Sequence, residues 1–129
     1  MVSINECVIA RDARYLYLKA SIDDMEYFDN VYIDYLEFTI HKVVNDKIDT
    51  VTIKLNPDGT LHTKPYMEDV KNVDLTLTPQ DLGIMDFRTP IVLRLFIIAM
   101  KERKTKFIHV LYMQKKMPCC RWQNMADSL

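Results

Sequence analysis

The sequence predicts an all-β protein, an antiparallel β-sandwich of about seven or eight strands with one short helical turn. Short stretches of alternating hydrophobicity recur every ~8–15 residues and are separated by turn signals, a spacing typical of sandwiches. No stretch with helical periodicity over about 10–12 residues lies between them, which disfavours a βαβ arrangement. At 129 residues, the chain is expected to form one domain with a single core.

The first third of the chain contains three predicted strands. Residues 3–9 and 14–20 alternate apolar with polar or aromatic residues, and Arg11-Asp12 is a turn candidate between them. Residues 23–30 are predicted to be a polar loop dotted with aromatic residues. Residues 31–44 form a long β-rich run in which the apolar positions change parity. This change predicts a β-bulge near Tyr35 and Leu36.

The middle of the chain carries the clearest hairpin signal. Residues 50–55 alternate Thr or Lys with Val, Ile or Leu, and Asn56-Pro57-Asp58-Gly59 follows. Proline presets the turn angle and glycine supplies positive φ, so these four residues predict a tight turn. Residues 60–64 are then expected to be the returning strand.

The last third is predicted to contain three more strands and the helical turn. Residues 73–77 alternate as a strand, and residues 78–83 read as an N-cap, a proline at the first helical position, one turn and a glycine stop. Residues 91–100 and 107–113 are apolar strands joined by a basic hairpin tip at residues 101–106. Residues 91–100 could also form a buried helix, but their β-branched content and the preceding Pro90 favour a strand.

The predicted organisation is a sandwich domain at residues 1–113 and a C-terminal tail or docking arm at residues 114–129, where no clear period is visible. No apolar run reaches the ~18 residues of a membrane span, so no membrane partner is expected. The first residues lack a basic start followed by an apolar segment, and no secretory signal is predicted. Three cysteines, two of them adjacent, favour reduced thiols in a cytoplasmic setting.

Charge is divided along the chain. Residues 1–87 carry 8 Lys or Arg and 16 Asp or Glu, a balance of −8, whereas residues 88–129 carry 9 and 2, a balance of +7. Charge placement governs association and partner choice rather than fold. The division therefore predicts a protein that binds other macromolecules, including copies of itself.

Catalytic and metal-binding chemistry is not predicted at any residue, and no cofactor is expected. Four carboxylates cluster within residues 23–29, but they lack the glycine and terminal glutamate of an EF-hand loop, so a solvated acidic loop is favoured over calcium binding. Cys119 and Cys120 are adjacent, whereas structural zinc sites space their cysteines two to four residues apart. Cys7 is expected to be a small core residue.

Two groups of residues are the predicted protein-contact surfaces. One is acidic and aromatic, the other basic, and aromatic side chains beside charge are typical of contact surfaces. The acidic group is Asp23, Asp24, Glu26, Tyr27, Phe28 and Asp29. The basic group is Lys101, Arg103, Lys104, Lys106, Lys115, Lys116 and Arg121, together with Trp122.

The order of four segments resembles a known family. They are residues 4–9 (INECVI), 15–20 (YLYLKA), 26–33 (EYFDNVYI) and 77–83 (LTPQDLG). This order is similar to that of small β-sandwich virion proteins of tailed bacteriophages, in particular ring or neck proteins of the crAss-like group. The resemblance covers about residues 3–113 and consists of strand and turn patterns, so it transfers no site residue. It implies a structural role, with many copies assembling around the head–tail connector or tail.

The leading functional prediction is a non-enzymatic structural or assembly protein, a phage virion component assembled in the host cytoplasm. Its expected partners are further copies of itself or other virion proteins such as portal, neck or tail components. One alternative is a cytoplasmic nucleic-acid-binding module that uses the basic tip at residues 101–106. Another is a small sandwich that binds a ligand or metal.

Overall fold

The computed structural model describes residues 2–24, 31–101 and 108–117. Seven strands form two antiparallel sheets, which confirms the predicted β-sandwich. The strands are β1 (Val2–Arg11), β2 (Leu16–Asp24), β3 (Val31–Val44), β4 (Lys47–Leu55), β5 (Asn72–Leu77), β6 (Ile91–Lys101) and β7 (Ile108–Met117). A 3-10 helix at Gln80–Leu82 is the predicted helical turn.

The two sheets have the strand orders β1-β2-β5 and β4-β3-β6-β7. Strands β1 and β2, β3 and β4, and β6 and β7 pair with their neighbours in sequence. Strand β3 also pairs with β6, which places these two strands at the centre of the larger sheet. Strand β1 lies near β7, and the 3-10 helix contacts both β4 and β5, so it closes the other side of the sandwich.

One apolar core fills the space between the sheets. Alternate residues of β2, β3, β5 and β6 are buried, as the period of two predicts for a sheet with one face covered. On β3 the fully buried side chains are Val31 and Ile33 at one end and Leu36, Phe38 and Ile40 beyond them. The rest of the core is Ile9, Leu16, Leu18, Ala20, Ile22, Leu55, Val73, Leu75, Leu77, Leu82, Ile84, Phe87, Ile91, Leu93, Leu95, Ile97 and Ala99.

The parity change in β3 is a β-bulge, as the sequence predicts. The register against β6 shifts between Ile33 and Tyr35, so Asp34 is the extra residue. Its buried carboxylate accepts a hydrogen bond from the backbone N–H of Tyr66 at 2.8 Å. The bulge therefore keeps both halves of β3 in the core and ties the β4–β5 connection to the end of the sandwich.

The helical turn follows the chemistry of its sequence. Thr78 Oγ1 accepts from the Asp81 N–H at 3.2 Å, and an Asp81 carboxylate oxygen accepts from the Thr78 N–H at 2.9 Å. This reciprocal pair is the arrangement of a capping box. Gly83 ends the turn with φ of 71°, and a Cβ at this position would lie 3.2 Å from Val51 Cγ1. Both the backbone angle and the close approach of β4 require glycine here.

Three sequence predictions need correction. Residues 60–64 are not a strand: the turn at residues 56–59 forms, but only one bridge, Leu55 with Leu61, follows it in this segment. Asp23 and Asp24 belong to β2 rather than to a loop. Strand β7 continues to Met117, so the first four residues of the predicted arm lie in the sheet and the domain extends past residue 113.

Candidate interaction surface

Two connections that carry predicted contact residues start or end side by side. Val31, the first residue of β3, pairs with Lys101, the last residue of β6. The connection from β2 to β3 therefore ends on the strand next to the one on which the connection from β6 to β7 begins.

Three of the predicted basic contact residues lie in described strands, at different ends of the larger sheet. Lys115 and Lys116 pair with Leu93 and Val92, near the start of β6. Their backbone positions lie about 30 Å from that of Lys101, at ~3.4 Å per strand residue. The remaining predicted contact residues, Glu26, Tyr27, Phe28, Asp29, Arg103, Lys104, Lys106, Arg121 and Trp122, lie outside the described residues.

A surface that the sequence did not predict lies at the opposite end, where β3 and β4 form a hairpin. Asn45 and Asp46 connect the strands with φ of 51° and 64°, the two positive angles that a type I′ turn needs. The hairpin extends beyond β6, whose first residue, Ile91, pairs with Lys42. The turn residues were a usable sequence signal, since Asn and Asp tolerate the left-handed region better than most residues.

The hairpin carries apolar side chains into solvent. Val43 is 59% exposed and Ile48 is 74% exposed, and these two residues face each other across the strands. Val44 is also exposed. Exposed apolar residues grouped on a projecting element are typical of a protein-contact surface.

Beside these residues lies an apolar groove of about 330 Å³. Its walls come from the hairpin and from the start of β6. The lining residues are His41, Lys42, Val43, Ile48, Pro90, Ile91 and Val92. We call this the hairpin groove.

Strand β4 is the edge of the larger sheet. At its end, the Lys54 carbonyl accepts from the His62 N–H at 3.0 Å, so the turn segment covers the edge there. In a strand, the backbone N–H and C=O groups of every second residue point to the same side. Those of Ile48, Thr50 and Thr52 therefore point away from β3, as the carbonyl of Lys54 does. Within the described ranges, no backbone hydrogen bond reaches these three residues from that side. An edge of this kind can accept a strand from another chain.

The turn that covers the end of β4 is held by side-chain hydrogen bonds. Asp58 accepts from the Thr60 hydroxyl at 2.6 Å and from the Thr60 N–H at 3.0 Å. The hydroxyl bond, followed by the backbone bond, lowers the pKa of Asp58 from its ordinary value of 3.8. Since the folded pKa is the lower one, Asp58 stabilises the fold above its unfolded pKa, and this contribution is lost as pH falls through the folded pKa.

Substitution Thr60→Val is expected to raise the pKa of Asp58 toward its ordinary value, because the hydroxyl donor is removed while the backbone donor remains. Carboxyl chemical shifts followed by NMR between pH 2 and pH 6 would measure the change. Thr52→Val, at an exposed threonine on β4, is the matched control and is expected to leave the titration unchanged. An unaltered Asp58 titration in Thr60→Val would contradict the assigned cause.

A second polar cluster lies in the β1–β2 turn. The buried Asp12 carboxylate accepts from the N–H groups of Arg14 and Tyr15 at 2.7 and 2.9 Å, and from the Tyr17 hydroxyl at 2.9 Å. Burial, and then the hydrogen bond to Asp12 and its charge, raise the pKa of Tyr17. Three donors occupy this carboxylate, so its role is to hold the turn.

The outer face of the smaller sheet has a shallow depression of about 580 Å³. Glu6, Lys19 and Asp74 are the charged residues among those that line it. In the part of the chain that the structure describes, no three His, Cys, Asp or Glu side chains are grouped closely enough to hold a metal ion. None of the helices within the described ranges has the length and apolar character needed to cross a bilayer.

Comparison with known proteins found no match for this chain among protein families, curated sequences or solved structures.

Proposed function

We propose that this protein is a non-enzymatic assembly protein, a virion component that forms a ring or connector at the head–tail neck or tail of a bacteriophage. The observation that carries the assembly role is the projecting β3–β4 hairpin, with exposed Val43 and Ile48 beside the open edge of β4. Apolar side chains on such an element are stabilised by burial against another chain. The virion setting rests on the resemblance in segment order.

A ring requires heterologous contacts, in which two different surfaces of neighbouring copies meet. The hairpin supplies one surface, on which the apolar pair Val43 and Ile48 lies next to the polar pair His41 and Thr50. The charged Lys47 and Asp49 lie on the other face of the hairpin. Polar residues around an apolar centre are the usual composition of an interface. Buried apolar residues would hold such a contact, and the charges would set its specificity and encounter rate.

Substitution Ile48→Lys is expected to weaken self-association by about 10- to 100-fold in dissociation constant, because the contact loses the burial of one large aliphatic side chain. Sedimentation velocity across protein and salt concentrations would measure this. Ile48 is 74% exposed, so the substitution should leave the fold intact. Met67→Lys is the control, since Met67 is 66% exposed and lies next to Tyr66, which is bonded to the opposite end of β3.

The proposal would be overturned by a wild-type chain that remains a monomer at every protein and salt concentration and fails to bind purified portal, neck and tail proteins. Equal weakening by Ile48→Lys and Met67→Lys would remove the hairpin as the contact surface. Loss of association in Ile48→Lys alone supports the proposed contact.

A further inference from the structure

The hairpin groove lies at the end of the sandwich where the chain leaves the last strand. Met117, the final residue of β7, pairs with Ile91, and Ile91 lines the groove. In the larger sheet, β6 alone separates β7 from β3. Because adjacent strands lie about 4.8 Å apart, the end of β7 is within about 10 Å of the strand that carries Val43.

The sequence that follows Met117 contains a suitable apolar anchor. Residues 118–129 include Trp122, the single tryptophan of the chain, and Met125. A tryptophan side chain buries roughly 150–250 Å² and dominates the contacts in which it takes part. The groove, at about 330 Å³, has room for one side chain of this kind.

The walls of the groove match the chemistry of an indole ring. Strand alternation places Val43 and Ile48 on the outer face of the sheet, and the pair His41 and Val92 lies beside them on the same face. His41 Nδ1 lies 3.0 Å from Thr50 Oγ1, and its buried Nε2 has no hydrogen-bond partner among the described residues. Because this nitrogen has no exposed surface, the wall offers an indole ring apolar contact rather than a hydrogen bond.

The groove and the end of β7 lie at the same end of the sandwich. Met117, at the end of a strand, precedes Pro118 in the sequence, and a residue that precedes proline is held in an extended conformation. When the groove of one copy lies beside the end of β7 in a neighbouring copy, the segment that follows Met117 in that neighbour can reach the groove.

We propose that residues 118–129 of one copy dock on a second copy of this chain, with Trp122 in the hairpin groove between Ile48 and Val92. This exchange rests on the proposed assembly function and names the occupant of its contact surface. The contact joins two different surfaces, the segment of one copy and the groove of the next, so it is the heterologous kind that a ring requires.

The test uses fluorescence of the full-length chain, in which Trp122 is the sole tryptophan. In the wild type, Trp122 emission is expected at short wavelength and protected from acrylamide. Ile48→Lys is expected to lose both the blue shift and the protection, whereas Met67→Lys keeps them. Solvent-exposed Trp122 emission in the wild type, or equal changes in the two variants, would overturn the proposal.

Mixing two variants distinguishes exchange between copies from docking within one chain. Ile48→Lys retains Trp122 but has an impaired groove, whereas Trp122→Ala retains the groove but gives no tryptophan emission. Adding excess Trp122→Ala to Ile48→Lys is expected to restore the blue shift, because the segment of one variant enters the groove of the other. An unchanged spectrum in the mixture would overturn the exchange.

Sizing of the same samples separates this proposal from the assembly function. A wild type that assembles while Trp122 stays exposed would overturn the docking and leave the assembly role supported. A strict monomer with protected Trp122 would overturn the exchange, and it would also count against self-assembly.

Discussion

Substitution Phe38→Ala is expected to lower the free energy of unfolding by about 4 kcal/mol. Phe38 is fully buried on the central strand β3, where it pairs with Ile53 on one side and Leu95 on the other. Removal of the ring loses its transfer free energy and leaves a cavity that two paired neighbours prevent from closing. Urea denaturation with an unchanged m-value would measure the loss.

The adjacent residue supplies the control for this substitution. Thr39 faces the outer side of the same strand, where its hydroxyl lies 3.4 Å from that of Thr52 in an exposed position. Thr39→Ala is therefore expected to change the free energy of unfolding by no more than about 0.5 kcal/mol. A cost below about 1 kcal/mol for Phe38→Ala would contradict the packing of the two sheets around β3.

Substitution Arg11→Ala is expected to lower the free energy of unfolding by about 3 kcal/mol. Arg11 pairs with Leu16 at the end of β1, on the core-facing side of its sheet. It is 7% exposed, and its guanidinium donates to the backbone carbonyls of Phe87 and Thr89. The substitution removes these charged donors and leaves the two carbonyls without them.

Hydrogen exchange and denaturation together would test the role of Arg11. Backbone protection in residues 84–90 is expected to fall in Arg11→Ala, because this segment loses its tie to β1. Arg14→Ala is the control, since Arg14 is exposed in the neighbouring turn and bonds Asp12 through its backbone N–H. Equal stability of Arg11→Ala and Arg14→Ala would show that residues 84–90 are held by other contacts.

Local patterns in the sequence were sufficient to predict most strands. The alternation in residues 50–55 predicted the core-facing side of β4, and the parity change near Tyr35 predicted the bulge found at Asp34. The residues around Pro79 predicted the helical turn and its glycine stop. These features depend on neighbours a few residues apart, which is the information that periodicity and turn chemistry contain.

Features that depend on strand pairing could not be predicted in this way. Alternation shows which residues face inward, but not which sheet a strand joins or which strand ends meet. The pairing of Val31 with Lys101, which brings the end of the β2–β3 connection next to the start of the β6–β7 connection, was therefore not predicted. The burial of Arg11 was missed for the same reason, because its carbonyl acceptors lie more than 70 positions away in sequence.

The pairing of β3 with β6 also determines the order in which the chain can fold. Their paired residues lie 49 to 70 positions apart in sequence, from Lys42 with Ile91 to Val31 with Lys101. The intervening chain must close into a loop, and lose entropy, before these contacts can form. Sandwiches with such distant pairings are therefore among the slowly folding domains. During synthesis, the β3–β4 hairpin emerges long before β6 is available to cover its inner strand. Until then both edges of the hairpin are open, and the nascent chain is most vulnerable to aggregation during this interval.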